Sequence, residues 1–436
     1  MGETFLHTYF NFAYFILLVP YRFKRNPTSG TFHAVEWMPQ KVVCAVSHVV
    51  ILFLYSIKVH RAFLDTTFNN HVSIFSLFAV TFSLFYKITL VKTFWVKKKT
   101  IQVILNSFKT DPNLNDLNLS FGKSRIESSL LCYTLFGIYC VIATTRLFTP
   151  TVGILFMDFV QPNCTNDSFS NWYFSLKYQA KCILFLLQQP CETGQVFTLP
   201  HDGILLIMIV SMFLGRVFMS YFSDIFVLVI VLTLNEPVKK FTGPLLNELE
   251  RDNLELDTTG KDSQAWVKKM AGGNDKMVLA GGMTPSIVTL VARYEALKRL
   301  SFKLNNVIGS FFLFYLSEAV ITYAIHLYDR FEIVKRWNLN PLTSIVHILY
   351  YITTFFVFFI SSEICRQMNF FKSWLFDKRR SLDIDMNEFH FLLDSVSSKV
   401  VSISAYDVVT MSYSMIGTIL GLVLTFFIVS LTSPQL

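Results

Sequence analysis

Charge is scarce in this sequence. Asp, Glu, Lys and Arg make up 16% of 436 residues, where a soluble domain carries about 25%. Glycine and proline are also few, at 17 and 13, which excludes a collagenous or low-complexity chain. Seven cysteines give no disulfide framework. Cys44, Cys132, Cys140 and Cys365 fall in or beside apolar runs, as small core residues do, and Cys164, Cys182 and Cys191 fall in or near one loop. No HExxH, GxSxG, paired CxxC, Walker A or GxGxxG pattern occurs, so nothing marks an enzyme, and no metal or cofactor is expected. The nine histidines are scattered over different elements, without metal-ligand spacing within one run.

What the chain has is apolar surface. It is 53% hydrophobic and 16% aromatic, its mean hydropathy is +0.46, and its 45 Phe come in runs such as Phe355-Phe356-Val357-Phe358-Phe359. One soluble core cannot hide that much. The expectation is an all-α, multi-pass protein of the plasma membrane with seven spans, at about 41–60, 71–92, 128–149, 203–233, 303–328, 342–365 and 405–431, because a hydrocarbon core of about 30 Å needs roughly 20 helical apolar residues. The run from Thr4 to Pro20 is shorter and broken by His7, Asn11 and Pro20. It reads as an interfacial helix, with a true span as the alternative. It has no basic n-region for a signal peptide, and Leu6 stands where myristoylation wants Ser or Thr.

Lys and Arg set the orientation. With the N-terminus cytoplasmic, the inner side holds Arg22, Lys24 and Arg25, then Lys97, Lys98 and Lys99, the basic residues of the 234–302 loop, and Arg366 to Lys399. The outer side keeps only Arg61, Lys177, Lys181, Arg330, Lys335 and Arg336. This bias places the N-terminus inside and the C-terminus outside. It also accounts for the net charge of +8 without a nucleic-acid partner. The sequons at Asn163 and Asn166 then fall in an outer loop, as glycosylation requires. Asp329-Arg330-Phe331 looks like the Asp-Arg-Tyr of G-protein-coupled receptors, but it follows the fifth run and lies outside.

Three further stretches carry information. In 234–302, two Gly-Gly pairs and Pro285 mark a linker, after which Ile287, Leu290, Val291, Tyr294, Leu297 and Leu300 recur at helical spacing into the fifth span. From Leu382 to Val400 the pattern is amphipathic, including Phe389 and Leu392, as in a helix on the membrane surface. Within spans, Arg216, Asp224 and Glu318 are ionisable, and such groups are functional candidates by default. A Glu318–Arg216 ion pair that only holds the bundle is the alternative. Lys87, Arg146 and Glu363 lie near span ends, where snorkelling accounts for them.

The last span is the most specific. It carries Ser414 eleven positions before Thr425, then Phe426, an apolar stretch broken by Ser430, and Thr432-Ser433. This resembles the insect gustatory and odorant receptor superfamily, and the gustatory receptors in particular. That family ends in Thr-Tyr, five apolar residues and Gln-Phe. Phe426 stands for the Tyr, and Thr432-Ser433 for Gln-Phe. The inverted topology, the short N-terminal segment closing in Val19-Pro20-Tyr21 and the basic loop after the second span also look like these receptors.

The resemblance implies a homo- or heterotetrameric, ligand-gated, non-selective cation channel whose partners are identical or related subunits, membrane lipid and a small organic tastant. It implies an organisation into a cytoplasmic segment 1–40, a ligand-binding bundle 41–365, cytoplasmic anchor helices 366–404 with Phe389 and Leu392, and a pore-lining segment 405–436. The pore residues are then Leu422, Thr425, Phe426, Val429, Thr432 and Ser433. The ligand pocket holds Arg216, Glu318, Tyr323, His326, His347, Tyr350 and Tyr351. Helical spacing puts Leu422, Thr425, Val429, Thr432 and Ser433 close to one face. Ser412, Ser414, Gly417 and Gly421 alternatively make a packing surface for another helix. A transporter using Arg216, Asp224 and Glu318 is the rival reading, though no inverted repeat is visible.

Overall fold

The computed structural model describes residues 2–68, 71–119, 133–134, 137–138, 222–247, 287–336, 341–377, 389–390, 393–394, 396, 401–405 and 409–432. It is mostly helical. Helix α1 (Gly2–Phe15) has 14 residues, a rise of about 21 Å and thus short of a bilayer core. It buries Leu6, Tyr9, Phe10 and Ala13. Leu17, at φ 61°, turns the chain out of it, while Leu18 N–H donates to Ala13 O at 2.8 Å. This left-handed turn costs a non-glycine residue about 1–2 kcal/mol. It presents the Leu17 and Leu18 carbonyls to Cys44 Sγ (3.2 Å) and His48 Nε2 (3.1 Å), which ties α1 to the next helix.

A hairpin of β1 (Arg22–Arg25) and β2 (Phe32–Val35) follows. Gly30, at φ 65°, closes its turn. Then come α2 (Met38–Phe68) and α3 (His71–Val96). Next is α4 (Lys98–Thr110), whose Ile101, Ile104, Leu105 and Phe108 at 3–4-residue spacing form its buried face. Asp111 caps α5 (Pro112–Leu119): its Oδ1 accepts from Asn113 N–H at 3.1 Å, and Pro112 fills the first helical position. Helix α6 occupies 222–247. Helix α7 (Ile287–Arg336) runs unbroken for 50 residues, joining the amphipathic run after the linker to the fifth span. Helix α8 (Pro341–Asp377) likewise outruns its span.

The last helix departs from expectation. It begins at Tyr413 and ends at Thr432 as α9, not at 405. The chain before it forms a small hairpin, β3 (Ser404–Ala405) with β4 (Val409–Thr410). The reason lies in α7: Ser301 Oγ and Asn305 Nδ2 donate to Ser402 O at 2.7 and 2.9 Å, and Ser404 N–H donates to Asn305 Oδ1 at 3.1 Å. These bonds hold the backbone extended.

Phe226 of α6 shows how the core is assembled. Its ring lies 5.1–5.8 Å from those of Tyr9 and Phe10 (α1), Phe94 (α3) and Phe311 (α7). Each such pair adds about 0.5–1.5 kcal/mol beyond area burial. Outside this core, Val42, Val46, Val49, Phe53 and Phe63 on α2 and Ile348, Ile352, Phe355 and Phe359 on α8 are exposed. Apolar faces of that extent belong against lipid or protein rather than water. Leu77–Val96 and Thr289–Ile325 are long and apolar enough to cross a membrane. Of the third span only 133–134 and 137–138 are described, in helix, and the start of the fourth, Asn163 and Asn166 lie outside the described residues.

Candidate functional site: a buried charge cluster and an open last helix

The first element of the site is polar and sits inside the bundle. Lys87 is buried on α3, 2% exposed. Its Nζ donates to Ser223 Oγ at 2.8 Å and rests 4.2 Å from the Tyr86 ring centroid. Tyr86 Oη reaches Asp224 Oδ1 at 3.4 Å. The Lys87 charge acts electrostatically on both Asp224 and Glu318, and Ser83, one turn earlier on α3, lies beside Glu318. One cation thus lies within electrostatic reach of two carboxylates from two helices. Lys87 therefore does not snorkel, contrary to the expectation from its place near a span end. Helix α3 continues to Val96, which leaves Lys87 about 14 Å from the helix end, and its partner is supplied by α6. Among the described residues it is Lys87 that faces Glu318. Arg216 lies outside them.

Toward the predicted outer half, Tyr323 Oη donates to Tyr351 O at 3.3 Å, and the two rings lie 4.7 Å apart. Tyr315 Oη donates to Thr354 Oγ1 at 3.3 Å. These contacts join α7 to α8 beside the charge cluster. His326 lies on α7, and His347 and Tyr350 on α8. Their side chains lie outside what is described. A separate open cleft of about 520 Å³ lies between α2 and α3, with Ser56, His60, Phe63, Phe78 and Thr81 in its walls.

The third element is α9. Ile419 and Val423, one turn apart, are buried, with Met415 and Ile416 packed partly against the same core. Away from that face, Thr425 is exposed, as are Leu422 (44%) and Val429 (43%). The Thr425 hydroxyl donates back to Gly421 O at 2.8 Å. Among the described residues nothing comes within 4 Å of where a side chain on Gly417 or Gly421 would begin, so this GxxxG pair is open there. The side chains of Phe426 and Thr432, and Ser433 altogether, lie outside the described residues.

The base of α9 is fastened. Tyr413 Oη donates to Glu363 Oε2 at 2.9 Å. Arg366 grips the same carboxylate through Nε (2.8 Å) and Nη2 (2.6 Å). Gln367 Nε2 donates to its Oε1 at 2.8 Å, and Thr242 of α6 donates to Gln367 Oε1 at 3.1 Å. Glu363 therefore does not snorkel, as its place near a span end led us to expect. It joins α6, α8 and α9. Nearby, Phe389 is buried (2% exposed) and Val396 O accepts from Tyr294 Oη at 3.1 Å. The Tyr294 ring stacks on Phe371 at 5.4 Å. Leu392, its intended companion in the anchor, lies outside the described residues.

No protein-family model matches this sequence, and no characterised protein matches it by sequence. Among solved structures, the chain is similar to the insect olfactory receptor OR5 from Machilis hrabei. The TM-score is 0.52 at 13% identity, and the match covers 100% of both chains. The same receptor in complex with eugenol aligns with a TM-score of 0.48 at 12% identity, again over 100% of both chains. At 13% identity the likeness is one of fold, and it runs from end to end: this chain has the helical fold of an insect olfactory receptor.

Proposed function

We propose that the chain is a subunit of a chemosensory receptor, of the gustatory kind, that acts as a ligand-gated, non-selective cation channel. Four copies surround a central pore lined by α9, and a small organic tastant bound in the outer bundle opens it. The observation that carries this reading is the state of α9. One face, Ile419 and Val423, is used within the chain. The face bearing Leu422, Thr425 and Val429 is exposed, and Gly417 and Gly421 leave room for a close neighbour. A hydroxyl ring next to an apolar ring suits a water path with a hydrophobic constriction. The fold likeness to an olfactory receptor supports the same reading.

In this account Glu318, Tyr323 and Tyr351 contribute to the ligand pocket, with Arg216, His326, His347 and Tyr350 proposed alongside. The anchor formed near Phe389 and Leu392 holds subunits together on the cytoplasmic side, and Asn163 and Asn166 carry glycans outside. The Lys87–Asp224–Glu318 cluster favours one rival, a transporter in which these groups line a substrate or proton path. Expression of the chain alone in oocytes, with currents recorded under a panel of sugars, bitter compounds and volatiles, separates the two. A channel gives ligand-evoked cation current that reverses near 0 mV, whereas a transporter gives small currents tied to a substrate gradient.

A further inference from the structure

Where α1 meets β1, a cleft of about 380 Å³ is lined by His7, Asn11, Phe15, Arg22, Phe23, Lys24 and Arg25. Three of the seven are permanent cations, and among the described residues none of the three is paired with a carboxylate. Arg22 lies against the Tyr14 ring, its Cζ 5.6 Å from the centroid. Its Nε is buried without a hydrogen-bond partner. A buried guanidinium N–H left unsatisfied is costly, and such a donor is satisfied well by an anionic oxygen. Lys24 shares the Arg22 side of β1 by strand alternation, and both Lys24 and Arg25 are exposed. On the α1 side, Asn11 Nδ2 and Phe23 O each lie 3.0 Å from His7 Nε2, which fixes the ring in the wall. Phe15, 70% exposed at the C-terminal end of α1, adds an apolar lip.

Basic donors beside an apolar lip, at the end of a helix too short to span, match the boundary between head groups and acyl chains. We infer that this cleft binds the phosphate of an anionic phospholipid in the leaflet that faces the N-terminal segment. The lipid phosphate takes the free Nε–H of Arg22 and the Lys24 and Arg25 charges, while the glycerol and first methylenes lie against Phe15. The site lies apart from both α9 and the buried cluster, so it goes beyond the channel reading and its test needs no current.

The test uses the purified full chain in detergent, with binding followed by native mass spectrometry. The probes are dioctanoyl phosphatidylinositol 4-phosphate, dioctanoyl phosphatidylcholine and inorganic phosphate. The expected result is retention of the inositol lipid and not of the choline lipid, with inorganic phosphate unable to displace it at equal concentration. Arg22→Gln and Lys24→Gln should each weaken retention roughly fivefold, as removal of one cation near an anionic lipid does. Lys99→Gln, at an exposed position outside the cleft, should leave retention unchanged. Arg22 is half-buried and its loss can disturb folding, so Arg25→Gln, at an exposed position, repeats the test and should also weaken retention. Equal binding of the choline lipid, displacement by inorganic phosphate, or the same loss with Lys99→Gln as with Lys24→Gln would each overturn the inference.

Discussion

Tyr413, the first residue of the last helix, donates its hydroxyl to Glu363 of α8 at 2.9 Å. The contact spans 50 residues of sequence and fastens the base of α9 to a carboxylate that Arg366 and Gln367 also hold. Any motion that opens a path along α9 must carry α8 with it or break this bond. If a ligand binds at the far end of α8, as proposed, this bond is the link that would couple it to α9.

Tyr413→Phe removes the hydroxyl and keeps the ring that packs on Phe359. A hydrogen bond of this kind contributes about 1 kcal/mol. The expected outcome is a shift in half-maximal ligand concentration of roughly fivefold, with surface expression unchanged. Dose–response curves at matched surface levels check it. An unaltered curve would mean that the bond does not take part in gating.

The buried cluster makes a second prediction. Lys87→Met removes the cation that acts on Asp224 and Glu318 and the donor to Ser223, and buried carboxylates left without a compensating charge are costly. Surface protein should fall sharply. Glu318→Gln should be much milder, because Lys87 still has Asp224 and Ser223, and the double variant Lys87→Met/Glu318→Gln should recover part of the loss. Surface biotinylation and melting in detergent measure this. Wild-type levels of Lys87→Met would show that the cluster does not hold the bundle. A shift in ligand sensitivity for Glu318→Gln at normal expression would place Glu318 in the pocket.

How far these contacts could be read from the sequence differs from case to case. The continuity of α7 was readable, because Ile287, Leu290, Tyr294 and Leu297 repeat at helical spacing into an apolar run. Asp224 and Glu318 stood out because charge within an apolar run is rare. Lys87 did not, since its distance from the helix end depends on where α3 stops, and its partner Ser223 lies 136 residues away. The β3–β4 hairpin was hidden for a similar reason. Its residues read as the start of an apolar helix, and only Ser301 and Asn305, about a hundred residues earlier, hold them extended. Local pattern shows which faces are apolar, but only the packing shows which polar groups meet.

Glu36 supplies a prediction on pH. Its carboxylate accepts from Lys41 Nζ at 2.7 Å and from Lys98, joining the end of β2 to α2 and α4. Those hydrogen bonds hold its pKa below the usual 4.5. Above pH 4.5 the folded and unfolded chains both carry the charge, and the stabilisation is fully present. As pH falls further, the unfolded chain takes up a proton first, and the advantage shrinks until the folded carboxyl is protonated too. The difference in melting temperature between wild type and Glu36→Gln should therefore be constant from pH 7 to 5 and narrow below 4.5. A difference that stays constant down to pH 3 would remove Glu36 from the account.

If α9 lines a conducting path, cysteines on its exposed face become accessible from water when the path opens. Cysteines are placed singly at Thr425 and Val429, on the exposed face, and at Val423, on the buried face. Each variant is expressed at matched surface level and treated with a charged, membrane-impermeant thiol reagent, with and without ligand, while whole-cell current is recorded. The account predicts that Thr425→Cys and Val429→Cys are modified faster in ligand and lose current on modification, that Val423→Cys does not react, and that Val429→Ser raises the resting current. If neither Thr425→Cys nor Val429→Cys reacts in the presence of ligand and Val429→Ser leaves the resting current at baseline, α9 does not line a pore.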